Sequence, residues 1–223
     1  MTEIDSEAGP GIAEDVRIPA AGLPGRLELP PRCLGVVAFA HGSGSSRLSP
    51  RNTRAAAVLR RSGIGTLLFD LLTEPEAEIR RNVFDIDLLA ERLLDATRWL
   101  RGHGASRALP IGYFGASTGA AAALVAAAET GNDIAAIVSR GGRPDLAGRA
   151  LERVRAPTLL IVGGEDVDVL ALNRAAYAAL HCKKELVVIE GATHLFEEPG
   201  TLDAAIDHAR RWFVQNLSGH REV

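Results

Sequence analysis

Short apolar runs alternate along this chain with longer stretches of helical spacing. Asp15-Val16-Arg17-Ile18 and Arg26-Leu27-Glu28-Leu29 switch between polar and apolar on either side of Gly22, Pro24 and Gly25. That is the pattern of an antiparallel edge hairpin. Leu34 to Ala40 and Thr66 to Leu72 are continuous apolar runs, suited to strands buried on both faces. Leu109 to Phe114, Ile134 to Val138, Thr158 to Val162 and Leu186 to Ile189 read as further strands. Between them, helices are predicted over residues 52–62, 85–101, 118–130, 146–154, 169–180 and 202–216. Gly63 and Gly102 stop the first two.

Strands that alternate with helices build parallel βαβ units, so an α/β fold with a doubly wound, mostly parallel sheet is expected. In such sheets ligands bind outside the carboxyl ends of the strands. Neither an internal repeat nor a low-complexity linker divides the 223 residues, which suit one domain over residues 14–217. Residues 1–13 and 218–223 read as tails.

Composition narrows the function. A net charge of −3 argues against non-specific nucleic-acid binding, which needs a basic surface. Met1 to Gly11 is acidic and has no basic start or apolar centre, so a signal peptide is not expected. No apolar run approaches the roughly 20 residues that span a bilayer. A cytoplasmic protein, monomeric or homodimeric, without membrane or nucleic-acid partners is the expectation. The richness in Ala, Gly and Arg, with Lys183 and Lys184 the only lysines, suggests GC-rich, bacterial coding. Cys33 and Cys182 are too few for a disulfide framework and show no metal-ligand spacing, and H-E-x-x-H is absent, so no metal site is expected.

The candidate chemistry centres on Gly115-Ala116-Ser117-Thr118-Gly119, which follows a predicted strand and opens a predicted helix. That is the context of a G-x-S-x-G nucleophile elbow, with Ser117 at the apex of a strained turn. A serine needs a base and a group to orient it. Of six histidines only His194 lies in a loop just after a late strand. The orienting acid should fall between the two, and Asp166 at the end of strand 158–162 is favoured. Asp168 is its rival as acid or helix cap, and Glu165 stands further behind. An oxyanion hole is expected from the backbone N–H of Thr118 and of Ser43, with Gly44 as alternative, in the loop His41-Gly42-Ser43-Gly44-Ser45-Ser46. His41, Gly42 and Gly44 are candidate substrate contacts. So are Arg47, Arg140 and Arg143, expected in loops at the catalytic edge and able to grip an acidic substrate. Only residues 139–157 separate strands 134–138 and 158–162, too few for a lid domain, so an open site for small esters is expected.

The HGSGSS loop, GASTGA at the elbow, LLIVGGEDVDV around the acid and GATHLFEEPG around the base resemble the α/β-hydrolase superfamily, in particular its dienelactone hydrolase-like branch. The resemblance spans about residues 14–217. It implies the α/β-hydrolase fold with about eight strands, a triad ordered Ser117, Asp166, His194, and acyl-enzyme chemistry without a cofactor. The dienelactone hydrolases themselves look to a cysteine nucleophile where this chain has serine. The lactone substrate therefore does not carry over, whereas ester cleavage does. Two alternatives keep the fold. One is a non-catalytic receptor or partner-binding module; the other is an acyltransferase, thioesterase or amidase using the same residues.

Overall fold

The computed structural model describes residues 11–218. Strands β1 (Ile12–Ile18) and β2 (Leu23–Leu29) form the expected hairpin. Ile12 and Ala13, expected in a tail, belong to its first strand. Pro24 and Gly25, expected in the turn, pair with Arg17 and Val16. Residues 1–10 and 219–223 lie outside the described residues, and Ser218, expected in the C-terminal tail, ends the last helix.

The parallel strands are β3 (Val36–Ala40), β4 (Gly65–Phe69), β5 (Ile111–Ala116), β6 (Ile134–Arg140), β7 (Thr158–Gly163) and β8 (Lys184–Ile189). All eight form one sheet in the order β1-β2-β4-β3-β5-β6-β7-β8. β2 pairs antiparallel with both β1 and β4, and every other pairing is parallel. This is the α/β-hydrolase fold. The run patterns have a simple cause: β3 to β7 are buried at every position, so alternation would have put polar groups into the core.

Helices α1 (Pro50–Arg61) and α7 (Thr201–Ser218) cover one face of the sheet. On the other lie α4 (Ile86–Gly102), α5 (Thr118–Thr130), the 3₁₀ segment Pro144–Arg153 and α6 (Val167–Ala179). The 146–154 helix is thus observed as a 3₁₀ segment, broken at Gly148 where φ is +52°. Alanine at seven positions from 120 to 128 lets α5 lie close against the sheet, and residues 118–127 of it are buried.

Two short helices were not expected: α2 (Glu74–Glu78) and α3 (Arg80–Val83). Thr73 and Glu76 cap α2 reciprocally, each side chain bonding the other's backbone N–H. Glu76 also binds Arg92 on α4 at 2.8 Å, and Asn82 Nδ2 donates to Glu76 O at 3.0 Å. These bonds hold residues 73–84 against the carboxyl edge of β3 and β4, where the site lies.

Candidate active site

β5 ends at Ala116 and α5 starts at Thr118, so one residue makes the whole turn. That residue, Ser117, has φ 50° and ψ −123°. Non-glycine residues avoid this region, and holding one there costs about 1–3 kcal/mol. Close packing enforces it. A Cβ at Gly119 would stand 2.1 Å from Ala40 O, and one at Gly115 would stand 2.4 Å from Ala120 Cα. Only glycine lets strand and helix approach so closely. The Ser117 carbonyl accepts from the N–H groups of Ala120 and Arg143, both at 3.1 Å. Its hydroxyl makes no hydrogen bond among the described residues, to His194 or otherwise.

Across the sheet, His194 Nδ1 and Asp166 Oδ2 are 2.7 Å apart. An ionised carboxylate only accepts, so the proton sits on Nδ1 and the Nε2 lone pair stays free. Asp166 occupies the N-cap position of α6, yet its side chain makes no capping bond. Its carboxylate is committed to the histidine instead. Asp168 lies inside the first turn of α6. The loop that carries His194 is tied down by Thr193, which donates through N–H at 3.1 Å and through Oγ1 at 2.6 Å to the Glu198 carboxylate. These bonds lower the pKa of Glu198. Phe196 then anchors the loop in the core at 2 % exposure.

The loop after β3 is organised by His41. Its Nε2 accepts the Leu71 N–H at 3.0 Å, which places the ring proton on Nδ1. Nδ1–H therefore donates to Gly42 O, also at 3.0 Å. In a planar trans peptide the C=O and the next N–H point in opposite directions. Fixing Gly42 O thus turns the Ser43 N–H the other way, toward the start of α5, where it donates to Thr118 Oγ1 at 3.1 Å. The Thr118 N–H, in the first turn, has no intrahelical acceptor. Two backbone donors thus belong to one small region beside Ser117. Burial lowers the pKa of His41, against the opposing pull of the Gly42 carbonyl and Asp70. With both ring nitrogens bound to backbone, His41 shapes the loop and has no free polar atom for a substrate.

The three arginines separate. Arg47 is paired with Asp70, through its side chain and through its N–H at 2.7 Å. Arg143 makes a two-pronged pair with Asp145 at 2.9 and 2.8 Å. Arg140, expected in a loop, is the last residue of β6 and is buried. It lies over the Phe114 ring and donates to Asn52 Oδ1 at 3.3 Å. Burial, aided by Arg51, pushes its guanidinium down to about 10.

Beside the candidate oxyanion donors opens a cavity of about 770 Å³. Its wall includes His41, Gly42, Ser43, Gly44, Arg47 and Thr118, but neither Arg140 nor Arg143. α2 and α3 supply the far side through Ala77, Arg80 and Val83. The cover therefore comes from the β4–α4 connection, not from the connection after β6. Its readable signal was Thr73-Glu74-Pro75-Glu76, a capping-box sequence with proline in the first turn. Among the described residues no cluster of three His, Cys, Asp or Glu could hold a metal ion, and no helix is long and apolar enough to cross a membrane.

No protein-family model matches the chain. A solved dienelactone hydrolase from Anabaena variabilis is 52% identical, with a TM-score of 0.89 over 94% of this chain and 99% of that one. Est1E from Butyrivibrio proteoclasticus shares the fold at 14% identity, with a TM-score of 0.74 over 94% of this chain and 100% of its own. Mycobacterium tuberculosis proteins provisionally named phosphoribosyl transferase are 55% identical over 219 residues, or 97% of this chain. The chain spans about half the length of these curated relatives, 49%.

Proposed function

The chain belongs to the dienelactone hydrolase family of α/β-hydrolases, and we propose that it is a serine hydrolase that cleaves a small carboxylic ester or lactone through an acyl-enzyme. The observation that carries this reading is the 2.7 Å bond from His194 Nδ1 to Asp166, on the sheet edge where the strained elbow presents Ser117.

Ser117 Oγ attacks the carbonyl carbon while Nε2 of His194 takes the hydroxyl proton. Asp166 holds the ring in the tautomer that leaves Nε2 free and stabilises the imidazolium that forms. Negative charge moves onto the carbonyl oxygen, which meets the N–H groups of Thr118 and Ser43. The first stands at the positive end of the α5 dipole. Each such donor contributes about 3 kcal/mol in related chemistry. The Ser43 N–H then exchanges its Thr118 Oγ1 partner for the oxyanion. His194 gives its proton to the leaving alkoxide, the C–O bond breaks, and the acyl group stays on Ser117. Water repeats the sequence, with His194 as base and then acid, and releases the carboxylic acid.

Nothing in this scheme calls on a phosphoribosyl donor. The curated relatives that carry the phosphoribosyl transferase name are about twice as long as this chain. The hydrolase reading is tested by a screen of p-nitrophenyl esters, with lactones and thioesters alongside. Stopped-flow traces should show a burst of p-nitrophenol of about one per site, absent in Ser117→Ala. Turnover retained in a folded Ser117→Ala variant would refute the assignment.

A further inference from the structure

The cavity under α2 and α3 has a definite position relative to the reacting groups. β3 and β4 lie on one side of β5, and β6, β7 and β8 lie on the other. Asp166 and His194 follow β7 and β8, whereas the cavity opens beside the loops after β3 and β4. On the serine hydrolase reading, the leaving oxygen must reach His194 to be protonated. The carbonyl oxygen must face Ser43 and Thr118. The remaining substituent on the carbonyl carbon is the acyl chain, and the cavity is on the side left for it.

The lining sets the chemistry. Leu72, Val83 and Leu89 form apolar wall, and Leu48 and Phe84 leave 68% and 51% of their surface exposed around it. Of the cations in the wall, Arg47 is neutralised by Asp70. Arg80 is outnumbered by Glu74 and Glu78, which are exposed beside it. Arg80 makes no ion pair among the described residues, so an anionic acyl group would meet one unpaired guanidinium against two carboxylates, with Arg47 already held by Asp70. The volume, about 770 Å³, suits a small organic ligand and exceeds what an acetyl group needs.

We propose that this cavity is an acyl-binding pocket selecting an uncharged, largely apolar acyl group of medium length, while the alcohol side stays open. The proposal rests on the serine hydrolase reading, and the experiment separates the two. p-Nitrophenyl esters keep one leaving group while the acyl part changes from acetyl through butyryl to hexanoyl, with monosuccinyl as the charged match for butyryl. Each buried methylene is worth about fourfold. kcat/KM should therefore rise at least tenfold from acetyl to hexanoyl, and the succinyl ester should fall at least tenfold below butyryl. Ala77→Trp, which fills the pocket from an exposed position on α2, should cut hexanoyl turnover at least tenfold more than acetyl turnover. A flat acyl profile, or a preference for succinyl, overturns the pocket and leaves the serine hydrolase intact. Ser117→Ala reads the pocket without chemistry. In titration calorimetry it should bind the hexanoyl ester at least tenfold more tightly than the acetyl ester, and equal binding overturns the proposal even if no ester is turned over.

Discussion

The Leu71 N–H points at Nε2 of His41, 3.0 Å away across two loops, and the orientation of the Ser43 peptide follows from it. Because Nε2 accepts, Nδ1 must donate, Gly42 O is held, and the Ser43 N–H is turned toward the start of α5. A histidine outside the candidate triad thus sets the direction of a candidate oxyanion donor. His41→Ala leaves the Leu71 N–H without its partner, at a cost of about 1–3 kcal/mol if it stays buried, while Gly42 O keeps only the Ser45 N–H at 3.2 Å. The variant should lose about 1–3 kcal/mol in urea unfolding and at least tenfold in kcat with KM nearly unchanged. A KM effect with kcat intact would assign His41 to substrate binding instead.

The same bonds predict a pH dependence of stability. Burial lowers the folded-state pKa of His41 below its unfolded value of about 6.5. Between the two values the unfolded chain binds a proton that the native protein does not, so stability rises with pH there. The contribution is fully present above about 6.5 and is lost as pH falls through the lowered folded value. Melting temperatures from pH 8 to pH 5 should fall more steeply in the wild type than in His41→Gln. Equal slopes would show that His41 is not the group responsible.

Asp166 and Asp168 stand two residues apart, and their bonds distinguish them. Asp166→Asn would offer His194 a donor where it needs an acceptor and trap the wrong tautomer. kcat should fall about 10³–10⁴-fold without unfolding. Asp168→Asn should stay within about twofold, as its side chain lies in the first turn of α6. Steady-state kinetics on one p-nitrophenyl ester decides between them. The reverse ranking would move the acid to Asp168.

Much of this arrangement was legible in the sequence because packing leaves it little choice. The buried strands had to be apolar throughout, and the elbow had to carry glycine at 115 and 119, where a Cβ would strike backbone. What escaped was decided by partners far along the chain. Arg140 reads as a loop residue until β6 is seen to run two residues further and bury it against Phe114 and Asn52. α2 and α3 are too short to show helical periodicity, and Glu76 finds Arg92 sixteen residues away. The double role of His41 depends on a backbone N–H from the loop after β4, which no local pattern announces.

Strain at the elbow gives a trade between stability and activity. With φ at 50°, Ser117 sits where glycine rests more easily. Ser117→Gly should therefore be about 1 kcal/mol more stable than Ser117→Ala in denaturant titration, with both inactive. Equal stabilities would mean that the turn is relaxed.

The central claim is that Ser117 becomes acylated, and a covalent probe tests it most directly. After incubation with an alkyl fluorophosphonate, intact-mass spectrometry should show one adduct per chain. Peptide mapping should place it on Ser117, and Ser117→Ala should take up none. Labelling at another residue, or ester turnover in a protein that the probe leaves unmodified, would contradict the account.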